Sequence, residues 1–119
     1  LPVDEIQSER LQKAEFYAQN WQQVVVLKGA LTVIAAPDGR SAVIPVATPA
    51  LARAGTGDVL AGMITGLRAQ GLSAYDAAIG GAWIHAQAGL VAACQVGHPA
   101  SVLAGDVVRA IPEVLQSLG

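Results

Sequence analysis

The segment Ala54-Gly55-Thr56-Gly57-Asp58-Val59-Leu60-Ala61-Gly62 sets two glycines and a carboxylate at the mouth of an amphipathic run. The unpaired N–H groups of a helix start, with the positive end of its dipole, form a site for a phosphate. Gly55 and Gly57 allow positive φ and leave room for an oxyanion to come close, so Gly55, Thr56 and Gly57 form a candidate anion hole. A carboxylate beside a bound anion is repelled by it. A helix cap, or a glycine-rich linker ending in one, explains Asp58 alone. Asp58 together with both glycines points instead to phosphate handling with an acid/base group alongside.

Lys28 is the second candidate. It follows the apolar run Val24-Val25-Val26-Leu27, at the strand end where open α/β sheets place their ligands. Gly29 would let the backbone approach a phosphate, and Thr32 adds a hydroxyl. An ordinary exposed lysine at a strand end is the plainer reading. Taken together, Lys28-Gly29-Ala30-Leu31-Thr32 and the Gly57-Asp58 turn supply positive charge, backbone donors and a base. That set can grip nucleotide phosphates and activate a hydroxyl.

Other motifs drop out. No G-x-x-x-x-G-K-[ST] is present, so the turn is not a P-loop. It is not a dinucleotide fingerprint either, because Gly55-x-Gly57-x-x runs into Leu60 with no strand directly before it. His85 and His98, thirteen positions apart and without a cysteine pair, give no metal-site spacing. His85 reads as a hydrogen-bonded core residue, His98 as a turn residue before Pro99, and Gly105-Asp106 as a helix cap. Trp21 and Trp83 read as core, and Cys94, inside an apolar run, as an inert buried thiol.

The elements that must position these groups follow from periodicity. Asp4 to Trp21 reads as an amphipathic helix with Leu11, Ala14, Ala18 and Trp21 on one stripe. Val24–Leu27 reads as a strand buried on both faces. Leu31–Ala36 and Ser41–Val46 flank Pro37-Asp38-Gly39-Arg40 and read as a β-hairpin. After a loop from Thr48 to Gly57, helices follow over 58–70 (closed by Gly71), from Ser73 through the long Ala-rich stretch, and over 104–118. Ser73 and Asp76 make a capping-box variant, and Pro112 kinks or divides the last helix.

The order is helix, strand, hairpin, then helices, which is an α/β arrangement whose sheet is too small for its helices. The expected architecture is the C-terminal part of a larger α/β domain. The 119 residues, 53% hydrophobic and 13% charged, are too apolar for disorder. Apolar surface facing the rest of a domain, or a second copy in a homo-oligomer, accounts for the excess. A net charge of −2 and 4% aromatics argue against a nucleic-acid binder. One cysteine, and no basic segment leading into an apolar one, fit a reducing, cytoplasmic setting. Ala74–Cys94 is apolar through alanine and glycine, and reads as a buried helix rather than a membrane span.

Three segments in this order resemble the ADP-dependent NAD(P)H-hydrate dehydratase family of the ribokinase-like superfamily. They are Val26-Leu27-Lys28-Gly29-Ala30-Leu31-Thr32-Val33-Ile34, Pro37-Asp38-Gly39, and Ala50-Leu51-Ala52-Arg53 running into the Gly55–Gly62 turn. Gly81-Ala82-Trp83-Ile84-His85 and Ser101–Asp106 are similar to its later helices. The resemblance implies the C-terminal portion of a single three-layer α/β/α domain over 1–119, with the N-terminal part outside this stretch. It implies repair of NADH or NADPH hydrated on the nicotinamide ring, with ADP or ATP as co-substrate and Mg2+ accompanying it. Phosphorylation would turn the ring hydroxyl into a leaving group, and phosphate would then be eliminated.

By the same resemblance Asp58 binds substrate as general base, Lys28 to Thr32 and Gly57 bind the nucleotide, and the N-terminal part supplies further substrate contacts. The chain departs from the family pattern at Ala47-Thr48, where many members have Gly-Asn. Two alternatives share these residues: a ribokinase-like kinase acting on a hydroxymethyl group, and a nucleotide-binding fragment without catalysis.

Overall fold

The computed structural model describes residues 3–28, 31–45 and 55–118. Helix α1 spans Val3–Trp21, followed by strands β1 (Val25–Leu27), β2 (Val33–Ala35) and β3 (Ser41–Val43). Helices α2 (Thr56–Ala69), α3 (Ala74–Val96) and α4 (Ala104–Leu118) complete the chain, with one 3₁₀ turn at Pro99–Ser101 between the last two.

The three strands form one antiparallel sheet in the order β1-β2-β3. Val25 pairs with Ala35 and Leu27 with Val33, and across the hairpin Val33 pairs with Val43. Side chains alternate between the faces of a strand, and the core divides accordingly. Val33 and Ala35 point to α1 and pack on Ala14 and Ala18, with Leu11, Val25 and Leu27 beside them. Ile34 points the other way, into a cluster with Leu60 of α2 and Ala78, Ala82 and Ala86 of α3. The result is three layers, helix on sheet on helices. A third cluster joins α3 to α4 through Ala88, Ala92, Val102, Val107, Ala110 and Val114.

Local signals account for the element ends. Ser73 caps α3 by accepting the Asp76 N–H at 3.1 Å. Gly71 at φ 102° ends α2, its N–H donating to Arg68 O at 3.0 Å. Gly39 at φ 96° turns the hairpin, whose Ala36 N–H donates to Arg40 O at 2.8 Å. Arg40 lies 4.4 Å over the Tyr75 ring, which ties the hairpin tip to the start of α3.

Several expectations are corrected. β1 has neighbours on both faces but is half-buried rather than buried, because it stands at an edge of the described sheet, antiparallel to β2. Trp21 is 61% exposed, and Phe16 and Tyr17 are exposed with it. The stripe that α1 buries is made of alanines, which let the helix lie close to the sheet, and the aromatics stack on one another on the outer side. Cys94 is exposed. It lies two positions, about 200° of helix, from buried Ala92. Pro112 does not divide α4, which runs through it unbroken. Among the described residues α3 alone is long and apolar enough to cross a membrane, and 56% of its apolar window is buried within the fold.

Candidate functional site

The end of β1 and the first turn of α2 bring Lys28 and Gly57 together. Lys28 leaves the end of β1, exposed, and its ammonium reaches α2: a Cβ placed on Gly57 would lie 2.6 Å from Lys28 Nζ. Residues 29 positions apart in the chain thus meet, and the meeting point carries the glycine next to Asp58. Any side chain at position 57 would displace the lysine.

The turn itself is built as a helix start without a side-chain cap. Gly55 is the N-cap at φ 91°, and among the described residues no side chain accepts from the N–H groups there. Asp58 and Val59 donate their N–H groups back to Gly55 O at 3.2 and 3.3 Å. Asp58 sits in the first turn, exposed, and among the described residues its carboxylate has no hydrogen-bond or ion-pair partner. The capping explanation of Asp58 therefore does not hold among the described residues, since its carboxylate accepts no backbone N–H there. A carboxylate left uncommitted on a glycine-rich helix start is available to take a proton.

Gly55 has a different role from Gly57. A Cβ there would lie 3.2 Å from the Cβ of Ala104, so the start of α4 backs directly onto the turn. α4 opens with the second Gly-Asp pair, and here the cap reading is right: Asp106 accepts the Leu103 N–H at 2.8 Å. That bond, and then the Arg109 guanidinium at 2.6 Å, hold the Asp106 carboxyl below the usual aspartate range.

Leu31 and Thr32, the far end of the lysine segment, are half-buried, and Thr32 O accepts the Ile44 N–H at 2.9 Å. Gly29 and Ala30, the Thr48–Ala54 loop with its Ala47-Thr48 departure, and the Thr56 side chain lie outside the described residues. His85 is buried in α3, among the helix-packing residues rather than at the turn. One contributor escaped the sequence reading. Arg10 of α1 donates from Nη1 to Leu31 O at 2.8 Å and from Nη2 to Leu27 O at 3.1 Å. Its signal was its place four residues before Ala14 and eight before Ala18, on the stripe that faces the sheet.

Residues 1–113 match the Carb_kinase family, described as NAD(P)H-hydrate dehydratase. The chain belongs to this family. It is 50% identical over 113 residues to the bifunctional NAD(P)H-hydrate repair enzyme Nnr of Moorella thermoacetica, covering 95% of this chain and 21% of that protein. It is 38% identical over 108 residues to the ADP-dependent (S)-NAD(P)H-hydrate dehydratase of Neisseria meningitidis serogroup B, covering 91% of this chain and 36% of that one. The crystal structure of the Bacillus subtilis ADP/ATP-dependent NAD(P)H-hydrate dehydratase, co-crystallized with ATP/Mg2+ and soaked with CoA, superposes at TM-score 0.86. Identity to it is 33%, over 100% of this chain and 44% of that one. The fold is thus a portion of the ribokinase-like fold of these dehydratases, and the chain spans less than half the length of each of these relatives.

Proposed function

We propose that this chain carries the phosphate-handling part of an ADP-dependent NAD(P)H-hydrate dehydratase, with Asp58 as its general base. The observation that carries this reading is the approach of the Lys28 ammonium to Gly57, beside a glycine-capped helix start and a first-turn carboxylate that has no partner among the described residues. Family membership supplies the substrate class, and a relative named as ADP-dependent supports the nucleotide.

In this reading Lys28, Gly29, Ala30, Leu31, Thr32 and Gly57 bind the nucleotide, and the N–H groups at Gly55, Thr56 and Gly57 hold the phosphoryl group in transfer. Asp58 takes the proton of the ring hydroxyl while its oxygen attacks the terminal phosphorus of ADP, and AMP leaves. The C–O bond then breaks with loss of phosphate, and loss of a proton from the adjacent carbon restores the ring double bond. The net change is loss of water from the hydrate, driven by one phosphoanhydride bond.

Mg2+ would be expected to arrive on the nucleotide and neutralise charge between its phosphates. Among the described residues no group of three or more His, Cys, Asp or Glu side chains converges. The residues at hand therefore fit an ion held mainly by phosphate and water, with the Asp58 carboxylate beside it.

We further propose that 1–119 is the C-terminal part of a single domain whose remainder completes the substrate site, and that the protein self-associates in the cytoplasm. The exposed apolar residues Leu103, Val108, Leu115 and Leu118 along α4 and just before it support a covering surface of this kind.

The test is incubation of the intact protein with ADP, Mg2+ and hydrated NADH. Return of the reduced-nicotinamide absorbance with equimolar phosphate is expected. A stable phosphorylated product would instead mean a kinase, and binding of ADP without turnover would mean a non-catalytic module. Asp58→Asn should lower turnover by about 10²- to 10⁴-fold, the usual weight of a general base, with ADP affinity kept. Full turnover in that variant would remove Asp58 from the chemistry.

A further inference from the structure

We propose that Arg10 is the positioning residue of the nucleotide segment, a clamp that sets the backbone at both of its described ends before the nucleotide arrives. The inference rests on the reading of Lys28–Thr32 as that segment. Nη1 and Nη2 of one guanidinium donate to Leu31 O at 2.8 Å and Leu27 O at 3.1 Å.

The consequence follows from peptide geometry. The carbonyl of Leu27 and the N–H of Lys28 belong to one rigid plane, as do the carbonyl of Leu31 and the N–H of Thr32. Holding those two oxygens therefore orients the amides of Lys28 and Thr32. It also fixes the point from which the Lys28 side chain reaches toward Gly57. The planar guanidinium fork suits this task, because its donors diverge at a fixed angle.

The clamp itself is anchored. α1 packs on the sheet through Ala14 and Ala18, on the stripe that Arg10 shares, and Ile44, just after β3, holds Thr32 O through its N–H at 2.9 Å. Amides oriented in advance at Lys28 and Thr32 lose less conformational freedom on binding, so the gain appears in nucleotide affinity. Arg10 acts in this through Lys28 and Thr32, and contact with the nucleotide is not required.

The experiment compares Arg10→Gln, Arg10→Lys and Lys28→Ala in the intact protein, measuring kcat, KM for ADP, KM for hydrated NADH and the thermal midpoint. Arg10→Gln is expected to raise KM for ADP about tenfold, the loss of one charge-assisted hydrogen bond to a carbonyl, with KM for the hydrate unchanged. Arg10→Lys should fail to restore it, because a single ammonium cannot hold both carbonyls. A lowered thermal midpoint with both KM values unchanged or equally raised would overturn the proposal, as would full rescue by lysine.

Lys28→Ala separates the two readings. If it weakens ADP while the Arg10 variants do not, the clamp alone fails. If it leaves ADP untouched, the nucleotide reading falls and the clamp with it. The wild-type protein gives a check that needs no variant: without ADP, the amide order parameters of Lys28 and Thr32 should be near the rigid value of about 0.85. Values below about 0.6, the flexible range, would overturn the clamp.

Discussion

Gly55 and Gly57 sit two positions apart and are needed for different reasons. Gly55 is held at φ 91° with the Cβ of Ala104 3.2 Å from where its own would be, so a side chain there meets both backbone strain and the start of α4. Gly57 is inside the first turn of α2, and what occupies its missing side-chain space is the Lys28 ammonium. Gly57→Ala should therefore behave unusually for a substitution at a glycine. Helix propensity favours alanine by about 1 kcal/mol, and the lysine tip can swing away, so the thermal midpoint should hold or rise. ADP binding should weaken about tenfold, because losing the ammonium's place costs roughly 1.4 kcal/mol or more. Calorimetric titration with ADP alongside thermal melts reads both. Undiminished ADP affinity would mean that the contact between Lys28 and position 57 does not serve the nucleotide.

At the scale of elements, α4 matters to the site through its first turn. Asp106 ties that turn down by accepting the Leu103 N–H and pairing with Arg109, and the adjoining Ala104 backs onto Gly55. Because these partners lower its pKa in the folded protein, Asp106 contributes stability that is present above the ordinary aspartate value of 3.8 and is lost as pH falls through the lowered folded value. Asp38 in the hairpin turn has the same sign, its carboxyl lowered first by the Arg40 backbone N–H. Asp106→Asn should melt earlier than the wild type at neutral pH, with the gap closing as the solution is acidified through that range. Melting curves followed by circular dichroism across pH will show this. A gap that stays constant or widens in acid would contradict the assigned role of the carboxylate.

For the molecule as a whole, the layers are held at unusually close contacts between helices. A Cβ on Gly81 of α3 would lie 2.8 Å from Ile64 Cγ1 and 3.3 Å from Ile64 N, so α2 and α3 meet backbone to backbone. Gly81→Ala should cost about 1–3 kcal/mol from overpacking, read as a lower urea midpoint with unchanged slope. A neutral or stabilising result would mean that the α2–α3 contact gives way easily. Much of this architecture was legible in the residues alone. The Ser73 cap, the Pro37–Arg40 turn, the Gly71 stop and the uncovered helix start at Gly55–Asp58 depend on hydrogen bonds and φ preferences within about four positions, which the local sequence carries in full. Exposure is different, because it depends on whether a distant element arrives to cover a face. The exposure of Trp21 and Cys94, the antiparallel pairing of β1, the hold of Arg10 on Leu27 and Leu31, and the meeting of Lys28 with Gly57 were decided only when α1, the sheet and α2 packed together. The sequence by itself determined which residue types and spacings invite a phosphate reading; the tertiary structure decided that Lys28 and Gly57, 29 positions apart, meet, because only packing sets distances between remote segments.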